Sequence, residues 1–313
     1  MTKGEIMQII QFLALGTLCA SAALAKEAVL RDELVLSGNN IIDVVIEGKQ
    51  LRLEVRLDAA GAPTVNPAIA RELGFKPGMF GFILGMGPTK VMANSEVHKI
   101  SFGDKLEKQR ILWADRDVST IADGTISPAS LPYKRVIFQL NAVSGSERPY
   151  RYALDNFGFF GRVGIGTTIT AQDKKMRVIF SLIRDQNLVS APTGNWLATN
   201  YRGAFNGPAT STVIYYGVER PTRQMALGQP LAIGDLAMTT VSVRVSDYGD
   251  ASGIAEQSAA TNPAAADDQE IVVIGKNDKD IDLRVTVGRG VLNKCSALVY
   301  DLERREIRMS CGF

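Results

Sequence analysis

Hydrophobic and polar residues alternate with a period of two along much of the chain. Residues 51–57 read Leu-Arg-Leu-Glu-Val-Arg-Leu, and the same alternation recurs at 241–245 and 281–287. This pattern is typical of strands that bury one face and expose the other. Many such short segments, separated by turns with Gly and Pro, predict a mostly β protein built from closed barrels.

Helical signals are few and short. Residues 66–74 place Asn66 at an N-cap position, Pro67 at the first helical position and Gly74 after the last turn, which together predict a short helix. A second short helix is expected at 192–199, around Trp196 and Leu197.

The order of predicted elements recurs in the two halves of the chain. In the first half, strand 51–57 leads to an acidic turn at Asp58, a short helix and a closing segment at 123–140. In the second half, strand 176–183 leads to a turn with Asp185, a short helix and a closing segment that ends near Met309. A shared order of elements with little residue identity predicts a duplicated fold of two lobes.

The domain boundaries follow from this repeat. We expect an N-terminal lobe at 26–145, a crossing segment at 146–175 and a C-terminal lobe at 176–313. Within the last lobe, residues 249–270 are rich in Ala, Ser, Asp and Glu and almost lack large apolar side chains. Such a segment buries too little surface to offset the entropy of ordering, so a mobile surface insertion is expected there.

Residues 1–25 have the pattern of a cleavable signal peptide. Lys3 precedes an apolar run, and Ala23-Leu24-Ala25 fits the small-x-small cleavage rule. The mature chain is then expected to begin at Lys26, and the protein to be periplasmic or secreted. An uncleaved N-terminal anchor is the alternative. No later stretch of the sequence is apolar enough to predict a transmembrane segment.

Charge and composition exclude several function classes. The formal net charge is +2, the basic residues form no run of five or more, and the chain has a single histidine, His98. Nucleic acid is therefore an improbable partner. A histidine metal site and Ser-His-Asp catalysis are both disfavoured, and no cofactor is predicted. The oligomeric state is left open.

Two cysteines remain after removal of the signal peptide. Cys295 and Cys311 flank two predicted strands joined by residues 301–305. An even number of cysteines in an exported protein favours a disulfide across this hairpin, with two free thiols as the alternative.

The order of elements resembles the retropepsin-like and pepsin-like aspartic proteases. Residues 51–73 and 122–140 resemble the first lobe of that family, and 176–197 and 285–309 resemble the second. The stretch VGRGVLNKCSALVYDLERREIRM is similar to the family's Gly-x-x-x-Leu turn and final hairpin. The resemblance implies a cleft between the lobes, with two aspartates that share a proton at its floor.

The resemblance assigns the catalytic positions to Asp58 and Asp185. The family's Asp-Thr-Gly or Asp-Ser-Gly reads Asp58-Ala59-Ala60-Gly61 in the first lobe, and Arg184-Asp185-Gln186-Asn187 stands in the second. Both bracing hydroxyls are missing, and Arg184 would hold a neighbouring carboxylate ionised. Each aspartate could instead cap its own turn.

The Gly-rich apolar segment 78–88 lies in the right order to be the flap that covers the family's cleft. Glycine permits the unusual backbone angles of such a hairpin, and an ordinary hairpin connection is the alternative.

Three functions are compatible with these observations. The first is a non-catalytic binding protein that holds a peptide or a small apolar ligand in the inter-lobe cleft. The second is a divergent aspartic endopeptidase that uses Asp58 and Asp185. The third is a structural protein of the bacterial envelope, whose cleft would be filled.

Overall fold

The computed structural model describes residues 31–143, 145–157, 164–234, 236–247, 251–257 and 282–312. The predicted signal peptide lies outside the described residues, as does most of the predicted insertion at 249–270. Residues 251–257 of that insertion are described. They pack against the strand that begins at Gly203, with Ile254 buried and Glu256 paired to Arg223.

Strands dominate the structure, as the alternating pattern predicts. Half-buried strands such as Lys49–Val55 direct Leu51 and Leu53 into the core and Arg52 towards solvent. The strands are β1 (Arg31–Leu36), β2 (Ile41–Ile46), β3 (Lys49–Val55), β4 (Thr64–Val65), β5 (Gly81–Met86), β6 (Thr89–Phe102), β7 (Lys105–Trp113), β8 (Gly124–Ile126), β9 (Tyr133–Gln139), β10 (Arg148–Ala153), β11 (Asp155–Phe157), β12 (Gly164–Ala171), β13 (Lys174–Phe180), β14 (Leu188–Val189), β15 (Gly203–Tyr215), β16 (Val218–Ile233), β17 (Leu236–Arg244), β18 (Leu283–Val287), β19 (Cys295–Asp301) and β20 (Glu306–Cys311).

The first half of the chain forms a closed barrel. Its sheet has the order β2-β3-β8-β4-β7-β6-β5, and an additional pairing of β2 with β6 closes six of these strands into a ring. The second half forms a sheet with the order β11-β12-β13-β18-β14-β17-β16-β15. The prediction of a mostly β fold with a closed barrel and few short helices is confirmed.

The two sheets repeat the same connectivity. From β2 in one and β12 in the other, the strand orders correspond position by position. In each sheet a central pair of strands is parallel: β3 with β8, and β13 with β18. The two-residue strand next to that pair, β4 or β14, is in turn parallel to its other neighbour, β7 or β17. We call residues 36–140, which contain the first sheet, lobe 1. The second sheet with its helices is called lobe 2. The domain boundaries stay a prediction.

A third sheet of order β1-β9-β19-β20-β10 contains strands from both halves of the chain. Its central pair, β9 with β19, is antiparallel and places Val136 opposite Tyr300. Phe138 and Tyr300 are fully buried there and contact each other edge to face, with ring centroids 6.3 Å apart. One continuous apolar core therefore runs from lobe 1 through this sheet into lobe 2.

The helices are short, and two of them lie where the sequence predicts a helix. They are α1 (Pro67–Glu72), α2 (Ala191–Tyr201), α3 (Arg289–Leu292) and a 3₁₀ turn at Pro128–Ser130. Asn66 occupies the N-cap of α1 but makes no side-chain capping bond. Its amide instead accepts from the backbone N–H groups of Val118 and Ser119 and donates to two carbonyls, so it fixes the loop that follows β7. Among the described residues, no helix is both long and apolar enough to cross a bilayer.

Cys295 and Cys311 face each other across the hairpin of β19 and β20. Their Cα atoms are 3.8 Å apart and their Sγ atoms 1.99 Å apart. We expect labelling of the unfolded, unreduced protein to find no free thiol at Cys295 or Cys311. We also expect the paired Cys295→Ser and Cys311→Ser substitutions to lower the free energy of unfolding by about 3 kcal/mol, the chain-entropy value for a loop of this length. Two reactive thiols in the wild type would contradict the bridge.

Candidate functional site

Asp58 lies three residues beyond β3, at the floor of the space between the lobes. Its carboxylate accepts from Arg56 Nε at 3.0 Å and from Ser181 Oγ at 2.9 Å. Arg184 Nε lies 3.8 Å from the same carboxylate. Ser181 and Arg184 belong to lobe 2, so Asp58 is the point at which the two lobes are joined by charge. The side chain is only 11% exposed.

The environment of Asp58 favours its ionised form. Burial alone would raise the pKa of this carboxyl, but the Arg56 and Arg184 guanidiniums and the hydrogen bonds from Arg56 and Ser181 outweigh it and hold the pKa below its usual value. The attraction of Asp58 likewise raises the pKa of Arg56 against the opposing effect of burial. Asp58 and Arg56 therefore behave as a buried ion pair. A carboxyl poised to exchange a proton would instead need a pKa near the working pH.

The strand register identifies the counterpart of Asp58 in lobe 2. Val55 pairs with Ile126 in one lobe and Phe180 with Val287 in the other, so Arg56 corresponds to Ser181. Counted from there, Ile183 occupies the position of Asp58.

Counted back from β4 and β14, the counterpart of Asp58 is Leu182, because the lobe 2 turn is one residue shorter. Either way, an apolar side chain stands where a second aspartate would be expected.

Asp185 lies beyond that position and is exposed. Its backbone carbonyl accepts from Gly290 N at 2.9 Å, which ties the turn to α3. In the described part of the chain, Asp185 is not among the hydrogen-bond or ion-pair partners of Asp58. The pairing of the two aspartates in a working dyad stays a prediction from the sequence.

The hairpin of β5 and β6, which we call flap 1, is the segment expected to cover the cleft. Its two-residue turn, Gly87-Pro88, reaches lobe 2, and Gly87 has a φ of +63°. A β-carbon at Gly87 would collide with Asp247 and Arg220, so only glycine fits this close approach. Met86 at the tip is buried.

Lobe 2 carries a corresponding hairpin, β15 with β16, which we call flap 2. Its two strands are joined by the two-residue turn Tyr216-Gly217. The Arg56 guanidinium lies 5.4 Å from the centre of the Tyr215 ring, within cation–π range. Arg184 donates to the backbone carbonyls of Val213 and Ile214 and so connects flap 2 to Asp58.

Tyr216 is the most unusual residue of flap 2. It has a φ of +52°, a conformation that costs a bulky side chain free energy and that turns of this kind normally reserve for Asn, Asp or Gly. Yet the residue is only 2% exposed. Burial raises the pKa of the Tyr216 hydroxyl, which stays neutral. Such strained residues often mark functional segments.

The two flaps meet in an apolar cluster of their own, separate from the main core. It unites both hairpin tips with the loop after β7 and the start of β14. Its buried members are Met86, Val91, Ala93, Ala114, Val118, Leu188, Ile214, Tyr216 and Val218. The two hairpins therefore pack against each other, with the Tyr215 ring over Arg56 and Tyr216 in the shared cluster.

A cavity of about 620 Å³ lies beside flap 2. It is lined by Arg56, the loop 116–121, Ile183, Arg184 and residues 213–217 of flap 2. Three large apolar side chains at this cavity are exposed: Ile121 at 51%, Val213 at 51% and Ile183 at 48%. An apolar surface beside a concave space is a common arrangement for ligand binding.

The sequence assigned Asp58 to the inter-lobe site but did not identify Arg56, Ser181 or flap 2. The signal for flap 2 was present in Tyr215-Tyr216-Gly217, an aromatic pair and a glycine between two alternating segments. Among the described residues, no group of three or more His, Cys, Asp or Glu side chains is placed to hold a metal ion.

Comparisons with known proteins give little further. No protein-family model matches the chain, and no curated protein matches it. Among solved structures, the chain is similar to EIAV protease complexed with the inhibitor HBY-793. The TM-score is 0.24 with 17% sequence identity, over 29% of this chain and 82% of that chain.

Proposed function

We propose that the protein is an exported, non-catalytic binding protein with an aspartic-protease-like fold, which holds a peptide or a small apolar ligand between its lobes. The observation that carries this proposal is the gathering of Ile121, Ile183 and Val213 at one cavity, beside a carboxylate that is already paired with arginine. The apolar side chains would be covered by a bound ligand, which favours binding. The ion pair keeps the Asp58 carboxylate from acting as a catalytic acid.

The state of Asp58 argues against an endopeptidase. Aspartic-protease chemistry requires two carboxyls that share one proton about a water molecule. Asp58 is held ionised by Arg56 and Arg184, and the corresponding position of lobe 2 is Ile183 or Leu182. Both guanidiniums therefore oppose the uptake of a proton by Asp58.

Flap 2 limits the access of a ligand to the part of the site near Asp58. The Val213 and Ile214 carbonyls accept from Arg184, and Val213 also lines the cavity. A ligand that extends from the cavity towards Asp58 must therefore displace Tyr215 and break these bonds. This account differs from a structural role, in which the cleft would stay filled at all times.

Binding of a neutral apolar dye tests the proposal. We expect Nile red to bind at this cavity. The double variant Ile121→Ser with Val213→Ser should weaken its affinity by about tenfold, because several methylene groups that the bound dye would cover are lost. Val143→Ser is the matched control, since Val143 is exposed but does not line the cavity. Unchanged affinity in the double variant would remove the cavity as the binding site.

A peptide arm separates binding from hydrolysis. We expect the protein to leave unfolded polypeptides uncleaved between acid and neutral pH. If the wild type cleaves a peptide and Asp185→Asn abolishes that cleavage, the binding-protein proposal fails and a peptidase that uses Asp185 replaces it. Asp185 is suited to this test because it is exposed, so its substitution leaves the fold intact.

A further inference from the structure

A second cavity, of about 350 Å³, lies between the tip of flap 1 and lobe 2. Its walls come from Gly85 and Gly87 of the flap, residues 188–190 of β14 and the α2 N-cap, and the ends of β17 and β18. Arg244, Arg284, Asp247 and Asp282 line it together with Thr286. Asp58 and the residues that line the 620 Å³ cavity do not contribute to these walls.

The two arginines that line this cavity belong to a cluster that has more guanidiniums than carboxylates. Asp247 is shared by Arg220, whose Nε lies 2.9 Å from Oδ1, and by Arg244, which pairs with the other oxygen.

Asp282 is shared in the same way by Arg284 Nη2 at 2.9 Å and Arg177 Nε at 3.2 Å. Four guanidiniums thus share two carboxylates; Arg244 and Arg284 line the cavity, whereas Arg220 and Arg177 are not among its walls.

Arg284 also keeps an unused donor. Arg284 Nε is buried and has no hydrogen-bond partner among the described residues. A buried unpaired donor in a native structure commonly indicates a missing water or ion. Burial first, and the neighbouring Arg220 and Arg284 charges after it, lower the pKa of Arg244 despite its pairing with Asp247. An anion in the cavity would relieve that repulsion.

We propose that this cavity binds a small oxyanion, a carboxylate or a phosphate group, which Arg244 and Arg284 hold by charge-assisted hydrogen bonds. The planar guanidinium presents paired N–H groups that match the two oxygens of such an anion. Thr286 and Ser190 line the same cavity and offer hydroxyl groups. This site does not depend on the function proposed for the inter-lobe cleft.

Calorimetric titration of the full chain with inorganic phosphate and, separately, with acetate tests the proposal. Both titrations use chloride buffer at constant ionic strength. We expect saturable binding of at least one anion at one site per chain, and Arg284→Gln to weaken it by about tenfold or more. The anion that binds more tightly identifies the source of the oxyanion. Arg289→Gln is the control, because Arg289 is exposed on α3 and does not line the cavity.

A second variant guards against a trivial folding defect. Arg284→Lys keeps the charge but loses the paired donors, so its affinity should fall between those of the wild type and Arg284→Gln. The absence of saturable binding by either anion would overturn the proposal. So would equal affinities in the wild type and in a folded Arg284→Gln variant.

Discussion

Replacing Asp58 by Asn is expected to lower the free energy of unfolding by about 3–5 kcal/mol. The substitution keeps the shape of the side chain but removes the counter-charge of Arg56, which is buried, and of Arg184. Removal of one partner leaves an uncompensated charge in a medium that solvates it poorly, and this penalty is what sets the magnitude. Urea denaturation at neutral pH measures the effect.

Asp185→Asn is the matched control for Asp58→Asn. Asp185 is exposed, so its substitution should change the free energy of unfolding by no more than about 0.5 kcal/mol. A stabilised Asp58→Asn variant would contradict the account, because catalytic groups held under strain often give that result.

The same ion pair predicts a dependence of stability on pH. The folded pKa of Asp58 is lower than the unfolded value of about 4, so the unfolded chain binds the proton more readily. The stabilisation is therefore present above that pH and is lost as the pH falls through the folded pKa. In Asp58→Asn this part of the acid sensitivity should disappear.

Much of the fold follows from local pattern, and the site follows from it only in part. Alternation at 51–57 predicts β3 because a strand with one buried face requires it. The turn at Asp58 follows from the repeat of elements.

The contact between Asp58 and Ser181 joins residues 123 positions apart, and it is created by the packing of the lobes. A local pattern carries no information about such a contact. For this reason the sequence favours Asp185, the acidic residue of the second turn, whereas the strand register gives an apolar residue at the lobe 2 position equivalent to Asp58.

Asn66 shows the same limit on a smaller scale. Its position before Pro67 predicts a capping side chain, and the helix begins there. The amide is used instead to bind the loop after β7, which offers two donors and two acceptors at once. Tertiary contacts of this kind override a local preference whenever they satisfy more hydrogen bonds.

Replacing Tyr216 by Ala is expected to release flap 2 from the cleft. The ring is buried in the cluster shared by the two flaps, and deletion of a buried aromatic side chain costs about 3–5 kcal/mol. The strained backbone remains in the variant, so nothing offsets the loss. Amide hydrogen exchange at 211–218 should become faster.

Val213→Ala provides the control within the same hairpin. Val213 is exposed and outside the shared cluster, so its truncation should leave amide exchange in flap 2 unchanged. If exchange in Tyr216→Ala matches that of the wild type, flap 2 is held by its backbone bonds to Arg184 and not by burial of the tyrosine.

The central claim is that Asp58 is a permanently ionised anchor between the lobes and not one member of a proton-sharing dyad. An NMR titration of the Asp58 carboxyl carbon in protein labelled with ¹³C-aspartate tests it most directly. The account predicts a carboxylate that stays ionised below its ordinary pKa and takes up its proton in a single transition. A carboxyl that takes up its proton near or above its ordinary pKa, or that titrates in two steps coupled to Asp185, would contradict it.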